Sequence, residues 1–379
     1  MGSSYKSPMR FETLAVHAGG ERDETGAIAP PLHLSANYEH GPSGEILHGY
    51  LYARKDNPVQ RRLESALAEV EGGQASLVFA SGVAAGAAYL QSLPPGSHVL
   101  FSDDLFYGFR EMAPSFLPRW GIEWSAVDMT DLAAVRAAMR PATRLVWAET
   151  PTNPMMKVQD IVGLAEIAHR ARAQLLVDST FPTPALLRPL SLGADVVLHS
   201  TTKYLGGHSD VQGGALIFAR RDEVLSQVTQ IRTLLGGVAA PFSSWLVLRG
   251  LRTLSARMRV HSANAVIVAA FLELHPRVGE VLYPGLVSNA GHLIAKEQMR
   301  DFGGMLSFRV KGGRPSAIEV ASRVHLLINA GSLGGSESLI QHAVSVMHSP
   351  GAIPEDLLRV SVGLEHPEDL IADLKQALG

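Results

Sequence analysis

Short apolar runs alternate with helix-like stretches between residues 75 and 219, and this alternation limits the fold more than any other feature of the chain. The runs are 75–80 (ASLVFA), 98–103 (HVLFSD), 144–149 (RLVWAE), 174–179 (QLLVDS), 195–200 (DVVLHS) and 214–219 (GALIFA). Each is apolar on successive residues, as a strand covered on both faces must be. Stretches with helical spacing lie between them at 82–93, 130–139 and 160–171. Another precedes them at 59–73, where Leu63, Ala66, Leu67 and Val70 share a face and a Gly pair ends the run. Strands in alternation with helices build βαβ units. The expected fold class is therefore α/β, with a mostly parallel central sheet and helices on both faces. A long helical stretch over about 240–272 follows, then strands at 304–310 and 358–364 separated by helices, and a last helix at 367–378. That change of pattern predicts a smaller C-terminal α+β domain. The expected division is an N-terminal arm of loops over 1–58, the α/β domain over 59–245 and the C-terminal domain over 246–379.

Composition narrows the function. With 379 residues, 46% of them hydrophobic and 18% charged, the chain is long enough for a large domain and a smaller one and is rich in core residues. The formal net charge is −3 and no Lys/Arg run appears, so a nucleic-acid partner has no electrostatic support. No apolar run reaches membrane-span length, and the stretch 1–13 lacks the apolar centre of a secretory signal. With no cysteine in the chain, disulfides, thiolate metal sites and a cysteine nucleophile are excluded, and a cytoplasmic setting is expected. The 15 histidines are scattered without an H-E-x-x-H, so no metal site is expected. The chain also lacks a G-x-G-x-x-G following a strand, and it lacks the P-loop pattern.

The segment 194-ADVVLHSTTKYLGGHSD-210 places Lys203 just beyond a buried strand, after the hydroxyl cluster Ser200, Thr201 and Thr202. In an open α/β sheet, ligands bind beyond the carboxyl ends of the strands. The same rule collects Asp178, Glu149 with Asn153, Ser81 with Gly82 at a helix start, and Tyr107 beyond the second strand. Together these suit pyridoxal 5'-phosphate, which needs a lysine amine, an acid against its ring nitrogen and a phosphate cradle. Burial would make the Lys203 amine nucleophilic. Ser81, Gly82 and Val83 would offer backbone N–H groups at a helix N-terminus, with Ser200 and Thr202 adding hydroxyls. Singly, each feature has an ordinary structural reading: Asp178 as a cap, Ser81-Gly82 as tight packing, Tyr107 as core. Their joint placement at strand ends favours a site.

From about Thr13 to the C-terminus, the chain resembles the Cys/Met-metabolism pyridoxal-phosphate enzymes of fold type I: cystathionine γ-synthase, the cystathionine γ- and β-lyases, methionine γ-lyase and the homoserine-ester sulfhydrylases. The resemblance is carried by 176-LVDSTFPTPALLRPLSLGADVVLHSTTKYLGGHSDVQGG-214, 149-ETPTNP-154, 52-YARKDNP-58, 332-SLGGSESL-339 and 359-RVSVGLE-365. It implies that Lys203 is the Schiff-base lysine and proton shuttle, and that Asp178, with Thr180 beside it, serves the ring nitrogen. By the same resemblance Tyr107 stacks on the ring and assists proton transfer, while Gly82, Val83, Ser200 and Thr202 hold the phosphate. Tyr52 and Arg54 would reach the phosphate of a neighbouring subunit from the arm, implying a dimer commonly doubled to a tetramer. Arg359 would grip the substrate α-carboxylate, helped by Asn153 and Ser332. The implied activity is γ-elimination or γ-replacement on cystathionine or an O-activated homoserine. Cystathionine β-lyase or methionine γ-lyase activity is the alternative, and another fold type I enzyme such as an aminotransferase a more distant one.

Several positions depart from the family pattern. The common Tyr-Gly-Gly-Thr is Tyr107-Gly108-Phe109-Arg110, and Asp-Asn-Thr is Asp178-Ser179-Thr180. Gly331 stands where γ-synthases and γ-lyases usually carry a Glu, and 342–348 reads HAVSVMH. All of these positions are expected near the distal end of the substrate, with Phe109 and Arg110 reshaping it.

Overall fold

The computed structural model describes residues 9–20, 24–347 and 353–379. Residues 1–8, part of the segment expected to lack a secretory signal, and His348 of the 342–348 motif lie outside the described residues. The first sheet has seven strands: β1 (Ala75–Phe79), β2 (His98–Ser102), β3 (Glu123–Val127), β4 (Thr143–Glu149), β5 (Gln174–Asp178), β6 (Val196–His199) and β7 (Gly214–Phe218). They lie in the order β1-β7-β6-β5-β4-β2-β3. β2 pairs in parallel with β3 and β4, β4 with β5, and β5 with β6. β7 alone runs the other way, antiparallel to β1 and to β6.

The central strands bury alternate residues on opposite faces, as the two-residue side-chain period requires. Leu145, Trp147 and Leu176 join one core cluster, whereas Val146, Ala148, Leu175 and Val177 join another. Both faces are thus covered, which is why these strands read as unbroken apolar runs. The helices that cover them begin at local signals. In α2 (Pro58–Glu71) the Asn57 side chain accepts from Val59 N, Pro58 sits in the first turn, and Gly72 ends the helix in the left-handed region at φ 76°. In α3 (Gly82–Gln91) the Ser81 side chain accepts from Ala84 N at 3.0 Å.

The second sheet is built from β8 (Val278–Leu282), β9 (Met305–Val310), β10 (Ile328–Asn329), β11 (Leu339–His342) and β12 (Leu357–Ser361), in the order β10-β11-β12-β9-β8. Its pairs are antiparallel except β10 with β11. Leu306, Phe308, Ile340, Leu358 and Val360 pack in one cluster with residues of the helices Leu254–Leu274, Gly313–Arg323 and Pro367–Leu378.

Three parts of this architecture depart from the sequence expectation. The stretch expected to be an arm of loops contains a helix, Phe11–His17, whose Phe11 and Ala15 are buried in the core shared with α2. Seven residues span only two turns, too few for a hydrophobic period to stand out. β3 lies at the sheet edge with an exposed, mixed sequence, EWSAV, and so lacks the apolar signal of its neighbours. The long helical stretch is two helices, Pro241–Leu251 and Leu254–Leu274. Among the described residues no helix is long and apolar enough to cross a membrane, and no group of three or more His, Asp or Glu side chains could hold a metal ion.

Close packing sets where α3 begins. A Cβ at Gly82 would stand 3.1 Å from Ser200 Cβ, and one at Gly214 would overlap the Ser81 carbonyl. The Gly214→Ala variant should therefore lose about 1–3 kcal/mol of stability. Urea unfolding monitored by circular dichroism measures this, and an unchanged midpoint would contradict the packing.

Candidate active site

The carboxyl ends of β1, β4, β5 and β6 meet the second sheet at its strands β11 and β12 around a cavity of about 250 Å³. Of the residues singled out from sequence, Ser81, Gly82, Val83, Tyr107, Asn153, Asp178, Thr180, Ser200, Thr202, Lys203, Ser332 and Arg359 line it. Tyr52 and Arg54 do not. The Arg54 guanidinium donates to the Thr233 carbonyl at 3.0 Å and lies 5.4 Å from the centre of the Tyr52 ring, away from the cavity of its own chain.

Asp178 ends β5 and is buried. The Thr180 backbone N–H and hydroxyl both donate to its Oδ1, at 3.0 and 2.6 Å. Oδ2 is thereby the oxygen left to meet a ligand. The same Thr180 hydroxyl accepts from Ser200 N at 2.9 Å, so Asp178 and the segment leading to Lys203 are tied through one oxygen. Burial pushes the Asp178 carboxyl up, and the two Thr180 hydrogen bonds oppose that shift. Glu149 ends β4 directly beside it in register. Burial, and then the neighbouring Asp178 charge, hold Glu149 well above the usual carboxylate range, while its Oε2 accepts from Phe106 N at 2.8 Å and so fixes the start of α4 (Tyr107–Phe116).

Lys203 follows β6 in a tight turn and donates from Nζ to Ser332 Oγ at 2.6 Å. Burial, and then the Arg359 charge, lower its pKa to about 8. Arg359, on β12, is 5% exposed. Its Nη1 donates to Asn153 Oδ1 at 3.0 Å and its Nη2 to the Ser332 carbonyl at 2.8 Å, while the buried Nε has no partner. Burial lowers this guanidinium to about 10. Asn153 is held in turn by its loop: Thr152 N donates to the Lys157 carbonyl at 2.9 Å, and Met155 N to Asp104 Oδ2 at 3.0 Å.

This donor set fits pyridoxal 5'-phosphate. A buried carboxylate with one open oxygen suits a cationic ring N–H. An amine with a lowered pKa suits a Schiff base. The start of α3, kept clear of a side chain at Gly82, suits a phosphate. Two hydroxyls of that cradle already have partners: Ser81 Oγ caps α3, and Thr202 Oγ1 exchanges hydrogen bonds with the Gly213 backbone at 3.0 and 3.2 Å. An unpartnered guanidinium nitrogen beside Lys203 suits a carboxylate.

The departures from the family pattern are placed unevenly. Phe109 is 2% exposed and its ring lies 4.7 Å from that of Trp147, so it forms the cavity's wall from the core side. Arg110 does not line the cavity; its Nε and Nη2 are buried without a partner behind the wall. Gly331, Val346 and Met347 do line it. Glu149, noted as a strand end but given no role, and Gln341, not foreseen at all, line it too. Glu149 could have been found from its place at the end of the central strand next to that of Asp178. Gln341 gave no signal, because β11 is short and has no distinctive pattern.

Residues 12–379 match the family described as Cys/Met metabolism PLP-dependent enzyme. The chain is similar to a cystathionine γ-synthase of Mycobacterium tuberculosis, with 46% identity over 97% of this chain and 96% of that one. It is 40% identical to a cystathionine β-lyase of Coxiella burnetii over the full length of both. Among solved structures, a cystathionine γ-lyase from Lactobacillus plantarum complexed with L-serine matches with a TM-score of 0.92 and 36% identity, covering 97% of this chain and 98% of that one.

Lys203 generates a pH prediction. With its pKa lowered to about 8, the neutral amine should grow through pH 8. At pH 7.5 it should already make up roughly a quarter of the population, against about 0.1% for an ordinary lysine. Covalent capture of pyridoxal 5'-phosphate by the cofactor-free protein should therefore accelerate with a midpoint near pH 8, followed by absorbance. A midpoint above about 10, the ordinary lysine value, would show that neither burial nor Arg359 acts on this amine.

Proposed function

The chain belongs to the Cys/Met-metabolism pyridoxal-phosphate-dependent enzymes, and from that membership we propose that it catalyses γ-elimination or γ-replacement on cystathionine or an O-activated homoserine. The observation that carries this reading is the Lys203 amine, held on Ser332 in one cavity with a buried carboxylate, Asp178, and a buried guanidinium, Arg359. The 46% identical relative bears a γ-synthase name, which favours γ- over β-chemistry. The relative named β-lyase, at 40% identity, favours the second reading, β-elimination to pyruvate.

In the proposed mechanism, Arg359 receives the substrate α-carboxylate through Nε, and Asn153 and Ser332 keep the guanidinium plane fixed while it does so. Lys203 Nζ takes the substrate α-proton; its lowered pKa makes it a base near neutral pH. Ser332 Oγ holds that nitrogen in place. Bound pyridoxal 5'-phosphate supplies an electron sink for the charge left on the α-carbon. Asp178 Oδ2 would meet the ring nitrogen, with Thr180 fixing the carboxylate's orientation. Tyr107, in contact with Phe106 at a ring separation of 4.7 Å, would cover the ring face. The phosphate would be held by the N–H groups of Gly82 and Val83 and the hydroxyl of Ser200, with Ser81 and Thr202 shaping the cradle.

Tyr52 and Arg54 are assigned to the phosphate of a neighbouring subunit, so the working unit is a homo-oligomer, a dimer or a pair of dimers. Exposed apolar residues on and near the arm support a partner surface, among them Ile28 (93% exposed), Leu34 (69%), Leu234 (68%) and Leu235 (67%). The division into an arm (1–58), a cofactor-binding part (59–245) and a C-terminal part (246–379) follows the same reading. A cytoplasmic setting fits a substrate drawn from amino-acid metabolism.

Two experiments test this reading. Incubation with L-cystathionine alone, with the keto acid identified by mass spectrometry, should give 2-oxobutyrate and cysteine if the enzyme runs as a γ-lyase. No keto acid, together with turnover of a homoserine ester and a thiol, is the result expected of a γ-synthase. Pyruvate with homocysteine would transfer the assignment to β-chemistry. For the shared site, Lys203→Ala and Arg54→Ala chains, each inactive alone, should recover roughly a quarter of wild-type activity when refolded together, since half the chains pair unlike and one site per mixed dimer is intact. No recovery would confine Arg54 to its own chain.

A further inference from the structure

Two complementary polar atoms lie buried and unpartnered on neighbouring strands in this cavity. Gln341 on β11 and Arg359 on β12 are directly opposite each other in the antiparallel pair, so their side chains share one face. Both line the cavity, Gln341 at 2% exposure and Arg359 at 5%. The Nη1 and Nη2 bonds of Arg359 hold its plane, leaving Nε without a partner, and Gln341 Oε1 likewise has none. A buried acceptor left unmade costs free energy that a ligand donor recovers. No side chain at 331 fills the gap beside Oε1: a Cβ on Gly331 would stand 3.7 Å from Gln341 Oε1 and meet nothing else within 4 Å. The cations that line the cavity among the described residues, Lys203 and Arg359, already have work in the proposed mechanism. The α-amino group of the substrate is consumed at the reacting end, so the donor that reaches Oε1 must come from the other end of its side chain.

We propose that Gln341 is a specificity-determining residue, whose amide oxygen, in the gap left by Gly331, accepts a hydrogen bond from a donor at the distal end of the substrate side chain. The class selected is an α-amino acid with its carboxylate on Arg359 and an N–H donor at the far end, as the distal ammonium of cystathionine provides. This rests on the transsulfuration reading above. A neutral amide here takes a donor without fixing a second charge beside Arg359.

The test compares two ligands that differ only in that donor: L-cystathionine and S-(2-carboxyethyl)-L-homocysteine, which lacks the distal amino group. Holoenzyme is titrated with each, and Kd is read from the initial change in cofactor absorbance. Wild type should bind cystathionine roughly tenfold more tightly than the analogue, the size of a hydrogen bond to a charged group. Gln341→Met, of similar length but without the acceptor, and Gln341→Asn, which withdraws it by one methylene, should each bring that ratio close to one. Binding of the analogue should stay within about twofold, which also shows that the variants are folded. An unchanged ratio, or an equal loss of both ligands, overturns the assignment; an equal loss would make Gln341 a support for Arg359 instead. A wild type that responds to neither ligand overturns the transsulfuration reading and this inference with it.

Discussion

The Thr180 hydroxyl is the interaction on which the geometry of the cavity turns. It donates to Asp178 Oδ1 and accepts from Ser200 N, joining the end of β5 to the segment that carries Lys203. Because β5 and β6 are parallel neighbours, their ends lie side by side, and one short side chain can span them. That link fixes which carboxylate oxygen is used up and which is open. It also sets the height of the turn from which Lys203 reaches Ser332. A carboxylate and an amine that approach one ligand from two strands need their backbones locked together, and past the end of β5 the Thr180 hydroxyl adds to the backbone bond from Ser179 N to the Leu198 carbonyl at 3.0 Å.

The second dependence is electrostatic. Asp178, Glu149, Lys203 and Arg359 share a small cavity from which much of the water is excluded, and burial heads the causes of every shift among them. Burial lowers the two bases and raises the two acids, so each group is moved toward its neutral form. Arg359 reinforces this at Lys203, and Asp178 reinforces it at Glu149. A site of this kind is poised to take in charge. In the proposed mechanism a cationic ring nitrogen would offset the cost of burying Asp178, and a substrate carboxylate that of burying Arg359. Glu149 acts as a hydrogen-bonding strut under α4 through its bond from Phe106 N.

The two sheets divide the labour. The parallel sheet delivers the ends of β4, β5 and β6 to one edge, where its loops and the start of α3 meet the ligand. The second sheet contributes Arg359 and Gln341 from paired strands, together with the Ser332 loop. Lys203 crosses to Ser332, and Asn153 crosses to Arg359, so the cavity is closed by bonds between segments more than a hundred residues apart. In the proposed mechanism the second sheet would hold the substrate's ends while the first presents Lys203 to its reacting carbon.

The sequence by itself determined the parallel sheet, because strands buried on both faces must be apolar throughout. It also determined the helix starts, because Asn57-Pro58 and Ser81-Gly82 are local capping chemistry. Lys203 and Asp178 could be picked out as well, because strand ends in such a sheet have a known direction, whereas Arg359 was singled out only through the family resemblance. What only the tertiary structure decided depends on contacts with no local period. The helix Phe11–His17 is too short to announce itself, β3 is an edge strand with one side in water, and β11 is four residues long. Without β11 in register beside β12, nothing in the sequence connects Gln341 to Arg359. Likewise Phe109 and Arg110, adjacent in sequence and expected to act together, part company because a helix turns successive side chains by about 100°. One ring reaches the cavity wall, and the guanidinium beside it goes behind.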